Sequence, residues 1–125
     1  MTKPTALLAL SALTVALLQT GCSGEKPLTY QANIKPILDA NCIECHVPGG
    51  KGFKKTGLLL DSYDGLMKGT NFGPVVVPGS SVSSTLYRLV SGKADSSIRM
   101  PHGMGSLPES DVSIIAAWID QGAKN

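Results

Sequence analysis

The hydrophobic positions of this chain fall into one continuous block and several short periodic ones. Residues 5–18 are uncharged and mostly apolar, with Lys3 before them and Gln19-Thr20-Gly21-Cys22 after them. A run of that length is short for a bilayer-spanning helix and has the form of a secretory leader that ends beside a small residue. Further on, Ile34, Ile37 and Leu38 stand at i, i+3 and i+4, one face of a helix, and Pro36 suits only its first turn. The spacing predicts a helix from about Ile34 that runs into a cysteine cluster. A second helix is predicted over residues 62–68, with a serine or aspartate start and Gly69 as its stop. A third is predicted over residues 85–90, capped by Ser83 or Ser84 and ended by Gly92. The clearest comes last. Ser106-x-x-Glu109 has the form of a capping box with Pro108 in the first turn, and Val112, Ile115, Ala116 and Ile119 repeat on one face until Gly122.

Between these segments the pattern lapses. Residues 47–56 are rich in glycine and lysine (Gly49, Gly50, Lys51, Gly52, Lys54, Lys55), which reads as a solvated loop with a local positive patch. Val75-Val76-Val77 reads as an extended piece ending at Pro78-Gly79, and residues 93–107 as irregular chain. No segment sustains the period-two alternation of a strand, and no internal repeat is present. The expected architecture is all-α: a leader over residues 1–21, a tether over 22–28, and one helical domain with long loops over 29–125.

Composition narrows the function. With 14 Gly, 8 Pro and only six aromatic residues in 125, the core is light, and such domains often rely on a cofactor or a cross-link. A net charge of +2, with no block of like charges, gives no reason to expect a nucleic-acid partner. Neither a catalytic triad nor a phosphate loop nor a paired-carboxylate site emerges, so an enzyme is not expected. Asp61 and Asp64 read as helix-capping residues rather than a cation site, and the serines at 80, 81, 83 and 84 as loop and cap residues.

The leader's end resembles a bacterial lipoprotein box, in which the cysteine thiol is acylated and becomes the first residue. Gln19 departs from the branched aliphatic residue usual three positions before the cysteine. Cys22 is the expected lipidation site. Ser23 after it favours the outer membrane over inner-membrane retention and places the domain on the periplasmic side. The alternative is an ordinary cleaved leader that leaves a free thiol.

Cys42-Ile43-Glu44-Cys45-His46 is a C-x-x-C-H sequence, the pattern of c-type haem attachment. Two thiols at this spacing can add across the two vinyl groups on one porphyrin edge, while the adjacent imidazole reaches the iron. Maturation of such a site takes place outside the cytoplasm, as the leader independently suggests. Three rivals stand beside this reading: a thioredoxin-type dithiol, which lacks its βαβ context; zinc held by Cys42, Cys45, His46 and His102; and a structural cystine. For the second axial ligand of a haem iron, residues 98–104 offer Met100, His102 and Met104. Met100, in a proline-bounded loop, is favoured, and its thioether would stabilise Fe(II) over Fe(III). Met67 reads as packing.

Several short motifs surround the haem sequence: Ile37-Leu38 before it, then Gly57-Leu58-x-Leu60-Asp61-Ser62-Tyr63, Gly73-Pro74, Val77-Pro78-Gly79, Ser84-x-Leu86, Met100-Pro101 and Trp118-Ile119-Asp120-Gln121-Gly122-Ala123. With them the chain resembles the planctomycete-type small single-haem cytochrome c domain of the class I cytochrome c superfamily, over about residues 34–123. The resemblance implies three principal helices around one covalent haem c, His46 and Met100 as axial ligands, and contact between the first and last helices, with Trp118 near Ile34, Ile37 or Leu38. Where the family commonly follows Met-Pro with a second proline, this chain has Pro101-His102-Gly103. The expected function is a monomeric, membrane-anchored carrier passing one electron between periplasmic or membrane redox proteins. The competing expectation is a haem-based sensor or small-ligand binder with a labile distal ligand.

Overall fold

The computed structural model describes residues 24–125, so the leader and the expected anchor Cys22 lie outside the described residues. The helical path begins at Thr29, whose hydroxyl accepts from the Ala32 amide while its own amide donates to Asn33 Oδ1. This reciprocal cap starts a π-helical turn, Tyr30–Ile34, which continues directly into α1, Lys35–Asn41. Four further helices follow: α2 (Lys51–Thr56), α3 (Tyr63–Lys68), α4 (Thr85–Val90) and α5 (Glu109–Asp120). Among the described residues there is no β-strand, only an isolated bridge between Thr70 and Gly73. The fold is all-α and cytochrome c-like, its five α-helices in keeping with the few main helices, short helices and long loops expected.

The core forms where the two ends of the domain meet. Tyr30, Ile34, Leu38, Leu66, Ile115, Trp118 and Ile119 are fully buried. Tyr30 sits between two aromatic rings, edge-on to Tyr63 at 5.6 Å and tilted against Trp118 at 6.4 Å. Such aromatic pairs add to plain area burial. Their polar atoms are answered by the chain's last residues. The Trp118 indole N–H donates to the Lys124 carbonyl at 2.7 Å, the Tyr30 amide donates to the same carbonyl at 2.9 Å, and the Tyr63 hydroxyl donates to Ala123 O at 2.9 Å. The first and last helical segments therefore touch, as expected, but through the Tyr30–Ile34 turn. Burial also pushes the Tyr30 phenol pKa up, aided by the negative charges of Asp39 and Asp61.

Residues 75–84 strap across α5. Asp120 accepts from the Ser81 amide at 2.7 Å and the Ser81 hydroxyl at 3.0 Å, and the Gly79 amide donates to Ile119 O at 2.7 Å. Three expectations need correction. Residues 51–56, read as loop, form α2. Ser106 and Glu109 make no capping box, because α5 starts at Glu109 with Pro108 at the cap position and no side-chain cap. Ser84 precedes α4 but does not cap it: its buried hydroxyl donates to Ser80 O at 2.8 Å and accepts from the Val77 amide at 2.8 Å, fixing the strap instead. Ser62 does cap α3, by accepting from the Gly65 amide.

Candidate functional site

The C-x-x-C-H sequence occupies the turns that follow α1. The Cys42 amide donates to Leu38 O at 2.8 Å, the Cys45 amide to Cys42 O at 3.2 Å, and the His46 amide to both Cys42 O and Ile43 O at 3.2 Å. Successive turns thus carry the two thiols and the imidazole off the end of one helix. Cys42 is half-buried and Cys45 exposed, and the two are not bridged to each other. Burial pushes the Cys42 thiol up to about 11. A thiol held neutral in this way is a poor redox nucleophile, which needs thiolate.

His46 is 8% exposed, although histidine with no partner would cost free energy to bury. Its Nδ1 lies 3.3 Å from the Leu58 carbonyl. A carbonyl only accepts, so Nδ1 carries the hydrogen and Nε2 is left as the nitrogen that could meet a metal, the arrangement by which a backbone acceptor orients a ligating imidazole. The segments on either side are tied to the same place: the Leu60 amide donates to His46 O at 2.9 Å and the Phe53 amide to Cys45 O at 3.0 Å.

Gly52 completes the cradle. A Cβ built on it would lie 2.7 Å from His46 Cε1, 2.8 Å from Nε2 and 2.9 Å from Nδ1. Near-equal distances to three ring atoms put Gly52 over the face of the imidazole, on the side of Nδ1, Cε1 and Nε2. Gly50 is equally constrained, since a Cβ there would collide with the Cys45 carbonyl. At the other end of α2, Gly57 takes φ 74° and its amide donates to Phe53 O at 2.7 Å. Glycine-rich residues 49–57 form a helix because only glycine permits these approaches.

On the later segment, Met100 is half-buried and packs against the core, with its amide donating to Leu89 O at 3.1 Å. Met104 is 59% exposed and His102 is also exposed. Among the described residues no group of three or more His, Cys, Asp or Glu is placed to hold a metal ion, so His102 does not join the cysteines in a zinc site. Met67 packs on the core, as expected. Beside Met100, Arg99 has a buried Nε without a hydrogen-bond partner. The nearby Asp95 carboxylate is engaged instead by Ser97, whose amide and hydroxyl donate to it at 2.9 and 2.7 Å.

The residues fit a haem on three counts. The Cys42 and Cys45 thiols and the oriented His46 imidazole would hold the porphyrin and its iron. Met100 would offer a soft ligand on a loop. The orphaned Arg99 N–H suits a group that carries carboxylates, as haem does through its propionates. Sequence reasoning missed Leu58, Gly52 and Arg99. Leu58 acts through a carbonyl that any residue would provide, and nothing in the sequence separates Gly52 from its glycine neighbours.

Comparison with known proteins agrees with this site. Residues 42–102 match the model of the Planctomycete cytochrome C family, a span that opens on Cys42 and includes Met100. No curated protein and no solved structure matches the chain. The C-x-x-C-H turns, the oriented imidazole, the helical fold and the family match together identify a planctomycete-type cytochrome c domain, which is a haem-binding electron-carrier domain.

Proposed function

We propose that this chain is a single-haem electron-transfer protein in which Cys42 and Cys45 hold haem c through two thioethers and His46 and Met100 are the axial ligands. The observation that carries the reading is the His46 ring: buried, covered on one face by Gly52, and oriented by Leu58 so that Nε2 is the free nitrogen. When bound, haem supplies the one-electron Fe(III)/Fe(II) couple. The chain's own residues do the rest. Leu58 fixes the tautomer and aims the imidazole. Gly52 allows α2 to close over the ring and keep water from it. Met100, with a thioether, favours the ferrous form and so raises the potential.

The setting is part of the same proposal. The protein works on the periplasmic side of a bacterial membrane, the outer one, held by a lipid on Cys22 and passing electrons between periplasmic or membrane redox proteins. What supports it is the leader-like apolar block before Cys22 and the extracytoplasmic maturation that a C-x-x-C-H site needs. Among the described residues no helix is long and apolar enough to cross a membrane.

The test is expression with haem maturation machinery, followed by denaturing electrophoresis with haem staining and peptide mass analysis. One haem should stay on the peptide containing residues 42–46, and Cys42→Ala with Cys45→Ala should abolish it. A wild-type peptide with free thiols, or one holding zinc, would overturn the reading.

A further inference from the structure

The two faces of α2 differ. Gly52 lies over the His46 ring, whereas Lys51, Lys54 and Lys55, at i, i+3 and i+4, share the outer face and are exposed. None of the three has a carboxylate within 4.0 Å, since the one ion pair among the described residues is Lys35 with Asp39. Lys54 also lines a cavity of about 400 Å³ together with Phe53, Lys68, Thr70 and Asn71. A fourth exposed cation, Lys68, therefore faces the same hollow.

Next to Asn71 stands Phe72, 88% exposed, the most exposed large hydrophobic residue of the described chain. Its position is fixed. The Phe72 amide donates to Thr70 Oγ1 at 3.0 Å, the Thr70 and Gly73 amides each donate to the other's carbonyl at 2.9 and 3.1 Å, and the Asn71 amide donates to Thr56 O at 2.8 Å, pinning the turn to the end of α2. An exposed aromatic ring on a hydrogen-bonded turn is an apolar anchor whose backbone is already ordered, so binding through it loses little further backbone entropy.

We propose that Lys51, Lys54, Lys55 and Lys68 with Phe72 form the docking surface for an acidic redox protein. The partner's carboxylates meet the lysines, Phe72 enters an apolar contact on it, and one electron passes between its redox centre and the haem iron on the His46 side, with no atom or proton transferred. This rests on the haem-binding reading above. Charge complementarity selects the partner: four cations with no partner of their own attract a surface of opposite sign and speed the encounter.

The probe is an acidic blue-copper protein of plastocyanin type. With both proteins reduced, its addition to the ¹⁵N-labelled ferrous holoprotein should shift the amides of residues 51–56 and 68–72. With the copper oxidised, Fe(II) gives its electron to Cu(II), and at low salt the triple reversal Lys51→Glu, Lys54→Glu, Lys55→Glu should slow this about ten-fold. The charge-matched reversal Lys26→Glu, Arg88→Glu, Lys124→Glu, which changes the net charge equally but leaves the α2 surface intact, should slow it clearly less than the α2 reversal does. Phe72→Ala should slow oxidation by the copper protein several-fold and leave oxidation by hexacyanoferrate(III) unchanged. A footprint on another face, or an equal slowing by the control reversal, would overturn the proposal. So would binding to phosphatidylglycerol vesicles that the lysine reversal abolishes while the copper rate stays the same, a result that reassigns the surface to lipid. The haem spectrum separates the two failures: no covalent haem in the wild type defeats the underlying reading, whereas normal haem with a misplaced footprint defeats the docking surface alone.

Discussion

Residues 42–60 and residues 93–107 look alike in composition, both rich in glycine, lysine or serine and both broken by proline, yet they fold to opposite degrees. In the first, backbone amides from Cys45, His46, Gly50, Phe53, Lys54, Gly57 and Leu60 all find carbonyls inside the same segment, and a buried imidazole sits at the centre. In the second, the contacts are mainly local, around Asp95 and Ser97, while Ile98 and Met104 are 55% and 59% exposed and only Leu107 is buried. One backbone bond, from Met100 to Leu89, ties its middle to α4. The contrast teaches how such a domain divides labour. In the proposed haem site, the side that would fix a plane and a ligand direction is built as a packed, self-satisfied unit, and the side that would offer Met100 is a strap with few contacts of its own. Regions with few buried contacts are the ones that open at least cost.

The sharpest way to break the comparison is at the aromatic cluster that anchors the packed side. Trp118→Ala should cost about 3–5 kcal/mol in urea unfolding of the holoprotein, because it removes a fully buried ring and leaves Lys124 O with one donor fewer. Ile98→Ala, on the exposed strap, should stay within about 0.5 kcal/mol. Equal losses would erase the distinction. Next comes the pair Gly52→Ala and Gly105→Ala. The first drives a methyl into the His46 ring and should cost about 1–3 kcal/mol together with a lower yield of haem-loaded protein. The second meets nothing within 4 Å and should be near neutral by the same thermal and haem-stain assays.

The smallest effect lies in the strap itself. Hydrogen bonds from the Ser97 side chain and amide hold the Asp95 carboxyl below its ordinary value, with the Arg99 charge helping and burial opposing slightly. A lowered carboxyl pKa gives stability that is present above the unfolded-state value and lost as pH falls through the folded one. Ser97→Ala should therefore move the Asp95 titration, followed by carboxyl ¹³C NMR, upward toward 3.8. An unmoved titration would show that Ser97 does not order this turn.

Much of this was legible in the chain. Ile34, Ile37 and Leu38 announced the first helix, the α5 stripe announced the last, and Cys42, Cys45 and His46 announced the chemistry, because these signals are local and depend on side-chain identity. α2 was not legible. Gly52, Phe53 and Thr56 are weak helix formers by propensity and glycines flank both ends, and the helix exists because Gly50 and Gly52 let it press on Cys45 and His46 while Gly57 ends it. Nor could the sequence distinguish a capping box at Ser106 from a proline start at Pro108, or foresee that Ser84 would bond to Val77 and Ser80 rather than cap a helix. In each case a long-range contact decided between two local options of similar energy.

The most direct test of the central claim, that a rigid proximal side is matched with a strap carrying Met100, is the oxidised and reduced visible spectrum of wild type and Met100→Ala with carbon monoxide added to the ferrous forms. The account predicts a wild-type protein with the weak far-red band of a methionine-ligated ferric haem and no carbon monoxide binding at neutral pH. Met100→Ala should keep its covalent haem, lose that band, bind carbon monoxide and show a lower reduction potential. A band that survives in Met100→Ala, or a wild type that lacks it and binds carbon monoxide readily, would contradict the assignment and favour a haem sensor with an open distal position.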